Sequence, residues 1–187
     1  MLRQLVLPGT TWGRRGMTSE VGRRVERLEL LRELFSEERL RLIPFTSGMG
    51  LRLEALEEDR ASMRFDFADG LVGNPFRKTL HGGCIGAVLD QCAGMVAVTA
   101  FAMRDPHELT MERFAHMFAF VGTVDLRVDY LAPGRGSSFV ASAVAIAVRN
   151  KIITTQMRLT NESDQLIAIG TGSFLVDPKP ERKSIEE

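Results

Sequence analysis

The chain has 187 residues, of which 44% are hydrophobic and 26% charged, and its 24 basic and 24 acidic side chains cancel to a formal net charge of zero. These values are typical of a globular domain that buries a core, and the balanced charge gives no global field that would attract nucleic acid. No pair of Cys or His residues has metal-ligand spacing, so we expect neither a metal nor another cofactor.

The first eighteen residues are predicted to be a tail. They contain three arginines but no acidic residue and show no periodicity, and no continuous apolar segment follows as in a signal peptide. We expect a disordered tail or an upstream start, with Met17 as the true initiator. From Ser19, the expected N-cap, a helix is predicted to end near Arg41, within an N-terminal helical segment 19–44. Its apolar face is Val21, Val25, Leu28, Leu31, Leu34 and Phe35.

A hairpin follows, with strands predicted at 50–57 and 61–68 and a loop at 69–75 leading to His81. The next predicted helix carries a single charge, Asp90, between His81 and Arg104. About twenty apolar residues can span a bilayer, but four glycines and a central Asp favour a buried core helix, so we expect no membrane span. A carboxylate is costly to bury in such a helix unless it is compensated, which makes Asp90 the first candidate for chemistry.

The rest of the chain is predicted as a short amphipathic helix over 105–120 and four strands at 123–131, 138–148, 152–160 and 165–176. In the first of these strands Val124, Leu126, Val128 and Tyr130 alternate with polar residues and should face the core. The turns are too short for parallel crossovers, so the sheet is expected to be mostly antiparallel. The main domain is placed at 45–178, followed by a tail at 179–187. Cys84 and Cys92 lie about 12 Å apart on the central helix and should be free thiols in the cytoplasm.

Several of these residues together carry a resemblance. The pattern Asn74, Leu80-His81-Gly82-Gly83, Asp90, Thr123-Val124-Asp125 and Tyr130-Leu131-Ala132-Pro133 is similar to the hotdog-fold acyl-CoA thioesterases of the phenylacetate-degradation (PaaI) type. The resemblance covers about residues 45–176. It implies an α+β hotdog fold, in which a mostly antiparallel sheet wraps around one long helix, here with an extra N-terminal helix, and it implies hydrolysis of an acyl-CoA-type thioester.

The resemblance also implies roles for individual residues. Asp90 would be the nucleophile or the general base that activates water, and Thr123 would orient that water or Asp90. Gly82, together with Gly83, would bind the oxyanion of the tetrahedral intermediate at the helix N-terminus. Asn74 would hold the water or polarise the carbonyl, although it lies seven residues before His81, where the family has six, so the loop between them must bulge. His81 would fix the helix start or, as a minority alternative, act as the base.

Helix geometry predicts that two copies of the chain share each site. Eight residues at about 1.5 Å each separate Asp90 from Gly82, so one helix cannot present both to the same carbonyl. A twofold homodimer, or a tetramer built from it, would bring Asp90 of one copy to Gly82 of the other. Small residues flank Asp90 and would permit a close approach, or would pack the helix on the sheet: Gly83, Gly86, Ala87, Ala93, Gly94 and Ala97.

Other readings stay open. Arg149 and Lys151, or Arg135, could bind coenzyme A phosphates or lie in solvated turns. His107 and His116 are expected to be surface or packing residues. A second enzyme class is an enoyl-thioester hydratase with Asp90 and His81 as the proton-transfer pair. A third possibility is a non-catalytic acyl-CoA sensor that uses its N-terminal helix for attachment, because a fold alone does not establish activity.

Overall fold

The structure, a computed structural model, describes residues 19–177; the tails predicted at 1–18 and 179–187 lie outside this part of the chain. The helices are α1 (Glu20–Leu34), α2 (Glu37–Leu40), α3 (Pro44–Gly48), α4 (Gly82–Arg104) and α5 (Met111–Phe120). The strands are β1 (Arg52–Leu56), β2 (Arg60–Asp66), β3 (Val72–Asn74), β4 (Thr79–Leu80), β5 (Gly122–Tyr130), β6 (Ser138–Arg149), β7 (Ile152–Asn161) and β8 (Leu166–Leu175).

Six strands form one sheet in the order β1-β2-β6-β7-β8-β5, and every neighbouring pair is antiparallel. Helix α4 packs across one face of this sheet and contacts β2, β5, β6, β7 and β8. The predicted α+β architecture, an antiparallel sheet around one long helix with an extra N-terminal helix, is therefore confirmed. Strand β5 forms one edge of the sheet, which leaves the hydrogen-bonding groups of its outer side without a neighbouring strand in the described chain.

Helix α4 is the core of the molecule. It is long and apolar enough to cross a bilayer, but 14 of its 23 residues are buried against the sheet and the other helices. It starts where the sequence predicts: His81 is the N-cap, with extended backbone at φ −67° and ψ 137°. Asp90 thus lies on a buried helix that has one face toward β5, and the other charged residue of this helix, Arg104, is at its C-terminal end.

The N-terminal helix is shorter than predicted. Ser19 caps α1 as expected, its hydroxyl accepting the Gly22 N–H at 3.1 Å, but the helix ends at Leu34 instead of near Arg41. Phe35 leaves the helical path and is buried, with 2% of its surface exposed, and Ser36 starts the separate helix α2. The predicted apolar face is also only half right, because Val21 and Val25 are exposed whereas Leu31 and Leu34 lie in the core. The end of the helix at Leu34 therefore allows the Phe35 ring to be buried in the core.

The segment before α4 contains structure that the sequence did not reveal. The predicted loop at 69–75 is a short 3₁₀ turn over Asp69–Leu71 followed by the small β3–β4 hairpin. Leu80 N–H donates to Gly134 O at 3.0 Å and His81 N–H to Leu71 O at 2.8 Å, which fixes the entry to α4. A Cβ at Gly73 would lie 2.6 Å from His81 Cα, so only glycine permits this close packing.

Strand β5 departs from regular alternation at its first residues. A β-bulge lies between Thr123, which pairs with Phe174, and Asp125, which pairs with Ser173. The extra residue, Val124, is 63% exposed, so the prediction that it faces the core is wrong. The bulge turns Thr123 toward α4 instead, as β-bulges near active sites commonly re-aim a side chain.

The short helix before β5 begins later than predicted. Segment 105–110 is irregular, and α5 starts at Met111 with Thr110 as its cap, the Thr110 hydroxyl accepting Arg113 N–H at 3.2 Å. Phe114 and Met117 are the buried residues of this helix, which packs beside α1 and α4.

Candidate active site

One face of α4 carries a stripe of residues spaced by four. The members of this stripe are Gly82, Gly86, Asp90, Gly94 and Val98. A spacing of four residues places side chains one above another on a helix. Strand β5 runs beside the stripe in the opposite direction: the phenol of Tyr130, at its end, lies over Gly82 and Gly86, and Thr123, at its beginning, reaches Asp90.

Asp90 is bound by a neighbouring hydroxyl. The Thr123 hydroxyl donates to Asp90 Oδ1 at 2.8 Å. The second carboxylate oxygen, Oδ2, has no protein donor among the described residues. The carboxylate is half-buried, so the expectation of an acid enclosed by apolar side chains is only partly met. It is therefore both oriented and accessible, as a group that must activate water requires.

Asp90 and Thr123 lie at the rim of a cavity of about 180 Å³. Helix α4 supplies Gln91, Gly94, Met95 and Val98 to its wall, and Phe174 of β8 closes one side. The remaining wall comes from the N-terminal helical segment, from α5 and from the two residues that follow α5. These residues are Phe35, Ile43, Phe118, Val121 and Gly122. Apart from the polar groups at the rim, the cavity is apolar.

The N-terminus of α4 is a separate feature. Gly82 is the first helical residue, so its N–H has no acceptor within the helix and points out of the helix end, where the macrodipole favours negative charge. The carbonyl of the same residue accepts a hydrogen bond of 2.9 Å from the Tyr130 hydroxyl. Tyr130 thereby holds the peptide that follows Gly82, while the Gly82 N–H stays available for a ligand.

His81 caps the helix with its side chain. Its Nδ1 accepts the Gly83 N–H at 2.9 Å. The neutral ring then carries its proton on Nε2, which leaves the imidazole without a free basic nitrogen. The same bond occupies the Gly83 amide, so of the two predicted oxyanion donors only Gly82 has an unoccupied N–H.

Asn74 ends strand β3 next to the loop of the hairpin that precedes α4. Its side-chain oxygen accepts the Arg77 N–H at 3.0 Å, and the loop between the two small strands contains Lys78 at φ +46°. The register of this hairpin shifts between Val72 and Asn74. The shift inserts Gly73, which precedes Asn74, so the bulge between Asn74 and His81 stays a prediction.

The two groups of site residues do not meet within one chain. The cavity beside Asp90 and Thr123 is lined by neither Asn74, His81 nor Gly82. Along α4, Gly82 and Asp90 are separated by eight residues, about 12 Å. One chain therefore presents an acid at one place and a free amide at another.

The two cations predicted for phosphate binding lie at the far end of α4. They flank the β6–β7 turn, close to the helix C-terminus, where Arg104 donates to Val148 O at 3.3 Å. Both Arg149 and Lys151 are exposed, and Lys151 is paired with Asp177 at 3.0 Å. Within residues 19–177 no cluster of three or more His, Cys, Asp or Glu side chains could hold a metal ion.

Comparison with known proteins decides the family. A family model described as the thioesterase superfamily matches residues 77–168. The medium/long-chain acyl-CoA thioesterase YigI of Salmonella typhimurium is 37% identical over 135 residues, which cover 72% of this chain and 86% of that protein. The chain belongs to the thioesterase superfamily.

Solved structures agree with this assignment. A thioesterase-superfamily-related protein from Shewanella oneidensis is 31% identical, with a TM-score of 0.72, and the match covers 82% of this chain and 97% of that one. The Escherichia coli PaaI protein of the phenylacetic acid degradation operon, at 12% identity and a TM-score of 0.63 over 80% of this chain and 96% of that one, shares the fold. The predicted hotdog fold and the predicted thioesterase family are confirmed.

Sequence reasoning missed parts of this thioesterase. Tyr130, which alternation along β5 predicted to face the core, is 55% exposed, and its hydrogen bond to the Gly82 carbonyl was not predicted. The cavity wall formed by Phe35 and Ile43 had no sequence signal, because it depends on how the broken N-terminal helix returns to the core.

Proposed function

We propose that this thioesterase hydrolyses a medium- or long-chain acyl-CoA at a site shared between two copies of the chain. The substrate class is supported by the name of the Salmonella relative. The observation that carries the shared site is the separation of the free Gly82 amide from Asp90 along one straight helix, since a reacting carbonyl must touch both.

In the proposed dimer, Asp90 and Thr123 of one copy face the α4 N-terminus of the other, which gives two equivalent sites. The free edge of β5 supports this arrangement, because it carries the exposed apolar residues Val124 and Tyr130 and can pair with the same edge of a second copy. The outer sheet face also exposes Ile152, Ile169 and Leu175, which would suit a tetramer of two such dimers.

The proposed reaction adds water to the thioester carbonyl. Asp90 either removes a proton from the water or attacks the carbonyl carbon itself to form an anhydride that water then hydrolyses. In both routes the carbonyl oxygen becomes negative and is held by the Gly82 N–H, an interaction typically worth roughly 3 kcal/mol in the transition state. Collapse breaks the carbon–sulfur bond, and the thiolate leaves and is protonated. Thr123 orients Asp90, His81 fixes the helix start, and Asn74 holds the carbonyl or the water.

For coenzyme A binding we propose Arg149, since Lys151 is already paired with Asp177. The Arg149→Ala variant is expected to raise KM for an acyl-CoA several-fold but to leave KM for the matching acyl-pantetheine unchanged, because only the former carries the nucleotide phosphates. Equal effects on both substrates would place Arg149 outside the phosphate site. We propose the cytoplasm as the location, consistent with Cys84 and Cys92 being free thiols.

The activity is tested by offering the protein acyl-CoAs from butyryl to palmitoyl and measuring thiol release. The shared site is tested by mixing two inactive variants, Asp90→Asn and Gly82→Pro. Proline is well tolerated at the first helical position and removes only the N–H there, and the extended backbone of His81 is the conformation that precedes proline. Gly82→Ala, which keeps the N–H, is the control.

Refolding the two variants together should regain about a quarter of the wild-type activity, because half of the dimers are mixed and each mixed dimer has one intact site. A site within one chain would regain nothing. A wild-type protein that hydrolyses none of the acyl-CoAs would overturn the proposed substrate.

A further inference from the structure

Two elements other than α4 and the large sheet, the N-terminal helical segment and α5, add side chains to the wall of the cavity beside Asp90. Phe35 and Ile43 come from the N-terminal helical segment, and Phe118 comes from α5. Resting on the proposed acyl-CoA hydrolysis, we infer that these three side chains form the end wall of the acyl pocket and limit the acyl chain to about eight to ten carbons.

The distribution of polarity gives the pocket a direction. Its polar side chains, Asp90, Gln91 and Thr123, are adjacent on α4 or joined by a hydrogen bond. Gly94 and Val98 follow Asp90 on the same face of α4, one and two turns further on. An acyl group whose carbonyl lies at Asp90 would therefore run along this face, away from water, toward the end wall.

Two measures of the cavity bracket the length of the acyl chain. From Asp90 to Val98 the helix advances eight residues, about 12 Å. With carbon–carbon bonds of about 1.5 Å in a zigzag, roughly ten carbons cover this distance. The volume is about 180 Å³, somewhat more than a cavity of about 150 Å³ that accepts benzene, which has six carbons. By the same ratio the volume holds about seven carbons, so the two measures bracket a chain of about seven to ten carbons, a range that includes octanoyl and decanoyl.

The end wall is held in place by packing and by charge. The Phe35 ring meets Phe114 edge-on at 5.3 Å and Phe118 at 6.3 Å between centroids. Helix α1 is fixed to the end of α4 by Arg27, which donates to the carbonyls of Ala102 at 2.8 Å and Asp105 at 2.5 Å. A wall anchored in this way can exclude a longer chain, whereas a mobile lid would yield to it.

Two variants change the pocket in opposite directions. Gly94→Leu fills it, because a Cβ at Gly94 already lies 3.8 Å from the Phe174 ring and the rest of the leucine extends into the cavity; leucine also favours a helix over glycine. Phe118→Ala opens the end wall. Phe120→Ala, which removes a 47% exposed ring of the same helix that does not line the cavity, is the matched control.

The measurement is kcat/KM across acyl-CoAs from butyryl to palmitoyl. The wild type should peak at octanoyl or decanoyl. In Gly94→Leu, kcat/KM for decanoyl-CoA should fall at least tenfold, while kcat/KM for butyryl-CoA should stay within threefold of the wild-type value. In Phe118→Ala, kcat/KM for myristoyl-CoA should rise at least fivefold relative to that for decanoyl-CoA. Phe120→Ala should keep the wild-type profile. Unchanged profiles in Gly94→Leu and Phe118→Ala would overturn the inference.

Calorimetry with decanoate and butyrate separates this inference from the proposed activity. Wild-type protein that binds decanoate at least tenfold more tightly than butyrate, with the difference lost in Gly94→Leu, supports the pocket even if no acyl-CoA is hydrolysed. Equal binding of decanoate by both proteins overturns the pocket even if acyl-CoAs are hydrolysed.

Discussion

The Thr123 hydroxyl and the Asp90 carboxylate are joined by a hydrogen bond of 2.8 Å that links the beginning of strand β5 to the middle of helix α4. The bond leaves Asp90 Oδ2 without a hydrogen-bond donor among residues 19–177. It therefore orients the acid without neutralising it.

Replacing Asp90 by Asn keeps the shape of the side chain but removes its basicity. We expect kcat to fall at least about 10²-fold, the usual contribution of a positioned base, with little change in thermal unfolding. Thr123→Val should cost about tenfold, because a hydrogen bond to a charged group contributes about 1.5 kcal/mol or more. Asp125→Asn, an exposed carboxylate two residues further along β5, is the control and should leave kcat unchanged.

Tyr130→Phe removes the hydroxyl that holds the Gly82 carbonyl at 2.9 Å. The adjoining helix start is then less well fixed, and we expect kcat to fall by roughly fivefold, the equivalent of about 1 kcal/mol, with KM nearly unchanged. Steady-state kinetics on one acyl-CoA measures both quantities. A change in KM alone would mean that the phenol contacts substrate and does not position the helix.

Two substitutions of His81 distinguish a cap from a base. Asparagine is among the best N-cap residues, so His81→Asn should keep kcat within about threefold, whereas His81→Ala loses the bond to Gly83 N–H and about 1 kcal/mol of stability. Activity and melting temperature are measured for both variants. Equal and large losses of activity in both would make His81 a catalytic base and revive the hydratase alternative.

Arg27 holds the N-terminal helix against the end of α4 through three backbone carbonyls, those of Ala102, Asp105 and His107. We expect Arg27→Ala to lower the free energy of unfolding by about 2 kcal/mol, since hydrogen bonds from a charged donor are among the stronger ones. Urea denaturation measures this loss. Glu26→Ala, its exposed neighbour, should change stability by less than about 0.5 kcal/mol.

The two thiols should resist alkylation in the native protein. Burial raises the pKa of Cys84 to about 11 and that of Cys92 to about 12. A raised pKa lowers the fraction of reactive thiolate, so that at pH 8 only about one Cys84 side chain in a thousand is ionised. Iodoacetamide labelling followed by mass spectrometry should modify neither residue until the protein is denatured. Rapid labelling of native Cys84 at pH 8 would contradict its burial.

The sequence predicted the elements that follow strong local rules. The N-caps Ser19 and His81 and the hairpin turns lie where expected, because each depends on a few neighbouring residues. The end of α1 was wrong because Phe35 gains more from the core than from another helical turn, which is a property of tertiary packing. The 3₁₀ turn and small hairpin before α4 were missed for the same reason: close packing at Gly73 and Gly134 fixes them, not periodicity.

The candidate site was predictable to a similar degree. Asp90 stood out as the lone charge of an apolar helix, and Gly82 as a glycine at its start. The occupation of the Gly83 amide by His81 and the role of the Tyr130 phenol could not be deduced, because both are contacts that only the folded backbone creates.

The bulge at Val124 determines which side of strand β5 the Thr123 side chain faces. Thr123 and Tyr130 are seven positions apart, an odd number, and in a regular strand their side chains would point to opposite sides. The added residue restores the parity, so that the hydroxyl and the phenol both reach α4. If the same side chains were placed on a regular strand without the bulge, every chemical group would be kept, but the Thr123 hydroxyl would no longer reach Asp90. The hydrogen bond between Thr123 and Asp90 thus depends on an irregularity of the main chain.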